Sequence, residues 1–166
     1  MSSAAPTLHG TATASTASTA STAQQEYVTF RIDSQWFGIP VLTVQEVLIA
    51  MRIARVPLAP PMIAGFLNLR GQLVTAVDLR TTLGLPPRED GAAVMNVVVR
   101  HDGELFALMV DEVGDVLSVD TVSVEPAPPT LDDRWRDACS GIVRRERGLL
   151  LILRVHAALR AEHGSG

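Results

Sequence analysis

The chain has 166 residues, a formal net charge of −4 and a single cysteine, Cys139. That length suits one domain or two very small ones. The charge argues against a nucleic-acid binder, and one cysteine excludes an intramolecular disulfide or a cysteine cluster for zinc. Every basic side chain is Arg, which excludes Schiff-base and P-loop lysine chemistry.

Residues 1–25 repeat Ser, Thr and Ala without apolar periodicity. They have neither a basic n-region nor an apolar h-region, so a disordered tail is expected and a secretory signal is not. Order is expected from near Tyr27. Tyr27 to Ile32 alternates as a strand does, Asp33-Ser34-Gln35 reads as a turn, and Trp36 to Val41 reads as a second strand that Pro40 places at an edge or an end. Val44 to Leu48 is a short apolar segment carrying one acid, Glu46. Val56 to Pro61 is a proline-stiffened connector, followed by about one turn of helix before Gly65.

Gly65 to Leu79 is the most informative stretch. Two glycines bracket Phe66-Leu67-Asn68-Leu69-Arg70, and a second apolar run ends in Val77-Asp78-Leu79. Gly71 stands where a two-strand hairpin turns. Arg70 beside that turn is either solvated or held by a carboxylate from elsewhere. Arg80 to Leu85 reads as a short helix or turn, and Arg88-Glu89-Asp90-Gly91 as a polar loop.

The pattern then recurs. Val97 to Arg100 and Leu105 to Val110 flank a turn at His101-Asp102-Gly103, and Val113 to Leu117 forms another short strand. A proline connector follows at Glu125 to Pro129, then a helical turn or loop at Asp132 to Cys139. A charged hairpin runs from Gly141 to Gly148, the strand Leu149 to Leu153 follows, and a helix is expected from Val155 to Glu162. Phe37, Val44, Glu46 and Val47 match Phe106, Val113, Asp115 and Val116 at an offset of 69; Gly65 matches Gly141 at 76 and Gly71 matches Gly148 at 77. A first half of about 27–85 and a second of about 94–160 each hold about five short strands. The fold expected is mostly β: two small five-stranded barrels, which hide their strand edges, with short helices and a C-terminal helix.

These residues resemble the CheW-like coupling proteins of bacterial chemotaxis. The matching pieces are Trp36 to Val41, Val44 to Val47, Val56-Pro57, Gly65 to Gly71, Val77-Asp78-Leu79, Val110 to Leu117, Pro126 to Pro128 and Gly141-Ile142, in order; the resemblance runs from about Tyr27 to Leu159, within a domain expected over 26–162. The resemblance implies two SH3-like barrels around a shared core, no catalysis and no cofactor. It implies a cytoplasmic adaptor, associated with membrane-bound receptor arrays, that binds the cytoplasmic tip of a chemoreceptor and the regulatory domain of a CheA-type histidine kinase. Such a protein is expected to be a monomer in isolation. Carried onto this chain, the receptor face involves Val44, Glu46, Gly65, Asn68 and Arg70, and the kinase face Met95, Val113 and Val116. Thr75-Ala76 departs from the family's usual aliphatic-Pro. No receiver domain is expected after Leu159, and 163–166 read as a flexible end.

Other readings stay open beside this one. Glu46 and Arg70, each alone among apolar residues, are expected to pair across the first barrel, the alternative being two solvated side chains. Val44, Val113 and Val116 are contact residues or simply core. His9, His101, His156 and His163 are expected to be solvated or capping, with no two at metal-ligand spacing along the chain. Cys139 lacks a base and is not expected to be a nucleophile. Arg144, Arg145 and Arg147 read as a solvated hairpin tip. Alternative functions are coupling in a non-flagellar pathway (surface motility or second-messenger output) and, remotely, nucleic-acid binding by a small barrel. The latter is disfavoured because only 4% of residues are aromatic.

Overall fold

The computed structural model describes residues 23–49 and 51–160. The expected tail lies outside the described residues except at its end, where β1 (Gln24–Ile32) begins three residues before Tyr27. The chain continues through β2 (Gln35–Pro40), β3 (Val44–Ile49), β4 (Ile63–Leu69), β5 (Gln72–Asp78), α1 (Leu79–Thr82), β6 (Met95–His101), β7 (Glu104–Val110) and β8 (Glu112–Asp120). It ends with α2 (Asp133–Ala138), β9 (Cys139–Arg145), β10 (Gly148–Leu153) and α3 (Val155–Arg160). The helix expected before Gly65 is absent: Pro60 and Pro61 lead into a turn, and β4 begins at Ile63. Strand β5 runs without a break through Thr75-Ala76.

The strands form two five-stranded sheets. Sheet one has the order β8-β1-β2-β10-β9, and sheet two the order β3-β6-β7-β5-β4. The two halves therefore interleave: each half lends its first hairpin to a sheet completed by the other half's last three strands. The reason is burial. Each sheet packs one face on its own core and the other on a shared core, so both faces leave water. Phe30, Ile32, Phe37 and Ile39 of sheet one meet Val77, Val97, Val99, Leu108 and Val110 of sheet two in that shared core, and α3 covers it with Ala158 and Leu159.

The duplication holds at the level of register. Val44 pairs with Val99 and Val113 with Phe30, 69 residues on, and both ladders have a bulge just after that pair. Leu69 pairs with Gln72 and Arg145 with Gly148, at an offset of 76. The expected match of Gly71 with Gly148 is thus one residue out. Gly148 answers to Gln72, and the turn Arg70-Gly71 answers to Glu146-Arg147.

Gly65 and Gly141 keep their place for one physical reason. The connector before each hairpin lies on the free edge of the end strand: Ala54 and Phe66 exchange two backbone bonds of 2.8 and 2.9 Å, and Glu125 and Ile142 two of 2.8 Å. A Cβ on Gly65 would stand 2.1 Å from the Ala54 carbonyl oxygen, and one on Gly141 2.7 Å from that of Glu125. The connectors cover edges that would otherwise invite another chain.

Candidate functional site

Three of the residues expected on the receptor face, Glu46, Asn68 and Arg70, meet at a seam, where β3 approaches the β4–β5 turn of sheet two. β3 and β4 are the outermost strands of its order, so any bond between them draws the sheet toward a closed barrel. Glu46 and Arg70 make that bond. The two guanidinium nitrogens donate to Glu46 Oε1 and Oε2 at 2.6 and 2.7 Å, a bidentate geometry. The Arg70 hydrogen bond holds the Glu46 carboxyl below its usual range, and the same bond raises Arg70.

Local structure presents Arg70 to this acid. Arg70 and Gly71 form a two-residue turn with φ of +51° and +87°, the left-handed pair that a tight hairpin requires. A non-glycine residue is strained there, by roughly 1–2 kcal/mol. Asn68 Oδ1 accepts the Gly71 N–H at 2.9 Å and fixes the turn. Arg70 remains 71% exposed, against 26% for Glu46. The pair expected from the sequence is therefore made, but at the surface, where it adds little stability.

Gly65 lies buried in β4, and Val44 opens β3 half-buried against the shared core. The kinase-face residues do not gather in one place. Val113 and Val116 share β8 at the edge of sheet one, Val113 packing on the shared core and Val116 53% exposed. Met95 opens β6 in the other sheet.

A second charged cluster lies between the sheets, drawn from three stretches of the chain. Asp111 is the single residue between β7 and β8, where the chain passes from sheet two to sheet one. Its carboxylate accepts from Arg80 Nε at 3.2 Å and Nη2 at 2.7 Å, from Arg88 Nε at 2.9 Å and from the Asp33 N–H at 2.7 Å. Arg88 also donates to Asp78 at 3.1 Å, and Asp78 caps α1 by accepting the Arg80 N–H. Arg80, Arg88 and Asp111 are 13%, 9% and 10% exposed. Burial pushes the Asp111 carboxyl up, but Arg80, the Asp33 N–H and Arg88 outweigh it and hold it below the usual range. The loop at Arg88 expected to be simply polar thus carries a buried guanidinium.

The remaining candidates are inert or paired. Cys139 is buried, and desolvation pushes its thiol up to about 12 despite Arg154 nearby. His101 and His156 are not separately solvated: α3 brings His156 Nδ1 to 3.3 Å from His101 Nε2. Among the described residues, no group of three or more His, Cys, Asp or Glu could hold a metal ion. Arg144 of the hairpin tip bonds Glu125 at 3.0 Å, unlike its neighbours Arg145 and Arg147.

The chain and its fold match a known family. The model of the CheW-like domain covers residues 26–163. The chain belongs to the CheW-like domain family. Among its relatives, chemotaxis protein CheW of Helicobacter pylori is 27% identical over 137 residues, 82% of each chain. Protein PilI of Pseudomonas aeruginosa is 34% identical over 139 residues, covering 78% of this chain and 76% of that one. The crystal structure of the scaffolding protein TtCheW from Thermoanaerobacter tengcongensis superposes with a TM-score of 0.73 at 28% identity, covering 82% of this chain and 92% of the other. The CheW-like assignment carries the fold of two five-stranded, SH3-like units and a role as a chemotaxis scaffold. Among the described residues no helix is long and apolar enough to cross a membrane.

Proposed function

We propose that the chain is a non-enzymatic cytoplasmic adaptor. It couples the cytoplasmic tip of a chemoreceptor to the regulatory domain of a CheA-type histidine kinase in a membrane-associated array. The observation that carries this is the extent of the CheW-like match, residues 26–163, which takes in nearly every described element. The seam of sheet two supplies the receptor face, with Glu46 and Arg70 at its centre and Val44, Gly65 and Asn68 beside them. Residues of β8 with Met95 supply the kinase face. Two separate surfaces are what an adaptor needs, because it transmits a signal only when its binding free energy differs between the states of a partner.

The purified protein is titrated against the regulatory domain of each CheA-type kinase of the same genome and against a receptor-tip fragment. Micromolar binding to both supports the coupling role, and Arg70→Ala weakens the receptor tip selectively. Absence of binding to every such kinase overturns it. A second reading, coupling in a non-flagellar chemosensory-like pathway, draws on the 34% identity to Protein PilI, above the 27% to the Helicobacter CheW. The kinase that binds decides between the two pathways.

A further inference from the structure

The two sheets have equivalent seams, and only one is clasped. In sheet two, Glu46 and Arg70 join β3 to the β4–β5 turn. In sheet one, the register places Asp115 at the position of Glu46 and Glu146 at that of Arg70. Two carboxylates cannot form the same clasp, and no ion pair among the described residues joins β8 to the β9–β10 turn. A groove of about 400 Å³ stands there instead.

The groove combines an apolar lining with unspent charge. Trp36, Leu117 and Leu149 line it, and Gly114 lets the Trp36 ring lie close: a Cβ at Gly114 would be 2.7 Å from Trp36 Cζ3. Val113 is on its wall and the exposed Val116 extends the same strand. Glu112 is already held by Arg31 at 2.9 Å. Asp115, Arg145 and Arg147 also line the groove and make no ion pair among the described residues. Among the lining residues the unpaired charge is thus two cations against one anion; Glu146, between the two arginines in sequence, lies outside the lining. That balance favours an incoming carboxylate, and guanidinium groups bind carboxylates bidentately.

We infer that this groove receives an acidic segment with apolar flanks from the kinase regulatory domain. Arg145 and Arg147 then make across the interface the ion pair that Arg70 makes within the chain. The inference rests on the coupling reading above and names the chemistry of its kinase contact. Charges at the edge of an interface act on encounter rate and salt dependence as well as on affinity.

The test is calorimetric titration of the full chain with the kinase regulatory domain at low and high salt. The proteins are the parent, Arg145→Glu/Arg147→Glu, and Arg52→Glu as a single charge reversal at an exposed position outside the groove. Arg145 and Arg147 are exposed, so the double variant is expected to melt with the parent. It should bind the kinase domain roughly tenfold more weakly or worse, and lose most of the salt dependence. Arg52→Glu should stay within about twofold. Two results overturn the inference: a double variant that binds the kinase domain as Arg52→Glu does, or one that loses only the receptor tip. A parent that binds no kinase domain overturns the coupling reading itself, which is a distinguishable failure.

Discussion

Asp111→Asn is the sharpest perturbation of this fold. The substitution keeps the side chain's shape and removes the negative charge that faces two buried guanidinium groups. Four hydrogen bonds end on the Asp111 carboxylate. One amide oxygen cannot accept all four, and the amide NH₂ then faces donors. Arg88 retains Asp78 and the Met109 carbonyl, each at 3.1 Å, while Arg80 retains the Pro86 carbonyl at 2.9 Å and, as its one remaining carboxylate, Asp33 at 3.7 Å. Losing one or two charge-assisted bonds at about 1.5–3 kcal/mol each agrees with the roughly 3–5 kcal/mol for breaking a buried ion pair. For a folded unit of about 140 residues, that lowers the melting temperature by about 10–17 °C. The assay is thermal and urea unfolding followed by circular dichroism, with Glu112→Gln as the reference, because Glu112 is 51% exposed in its pair with Arg31. A loss no larger than the reference's, below about 1 kcal/mol, would refute the claim that this network joins the sheets.

The same network sets an acid limit. Asp111 has a lowered pKa when folded, so its contribution is complete above the ordinary carboxylate value of about 4 and is lost as pH falls through the folded value. Asp111→Asn should flatten that part of the stability–pH curve; an unchanged curve would assign the acid sensitivity elsewhere. Gly65→Ala should cost about 3 kcal/mol or more in urea, because a φ of +149° adds strain to the clash with Ala54. Gly141→Ala carries the clash alone and should cost about 1–3 kcal/mol; equal, small losses would mean the connectors lift off freely. Arg70→Ala should barely move the melting temperature while Arg88→Ala lowers it clearly, since the first opens an exposed pair and the second a buried one. Cys139 should resist a thiol-reactive dye at pH 8 in the native protein and react once urea unfolds it, and rapid native labelling would contradict its burial.

Much of this architecture is legible in the chain. Strand positions follow from alternation, and the duplication follows from offsets that the ladders reproduce. The Glu46–Arg70 pair is visible because each charge stands alone among apolar residues. The interleaving of the halves is not visible. Alternation says which face a residue occupies, but not which strand lies beside it. Matching Gly71 with Gly148 by residue type misplaced the second turn by one, and only pairing shows that Glu146 stands where Arg70 does. The Asp111 network escaped because Asp33, Asp78 with Arg80, Arg88 and Asp111 come from different turns and connections, each resembling ordinary solvated polar chain. Its only sequence signal is that Arg88 directly follows a proline pair, Pro86-Pro87, which is too weak to stand alone.

The interleaved order also fixes when each sheet can exist. Sheet two is one continuous stretch, 44–110, whose partners follow one another closely along the chain. Sheet one is split by it: Gln24 pairs with Asp120, and Phe37 waits for Leu151. On a ribosome the β1–β2 hairpin is made first and joins its sheet last. Through that interval sheet two already covers Phe30, Ile32, Phe37 and Ile39, but Tyr27 and Trp36 on the hairpin's other face lack the residues of β8, β9 and β10 that later pack on them, and the pairing they await closes the longest loops among the described strands. Long-range closure is slow. The first hairpin is therefore the segment that a chaperone or a neighbouring nascent chain meets exposed, and sheet two is the template on which it waits.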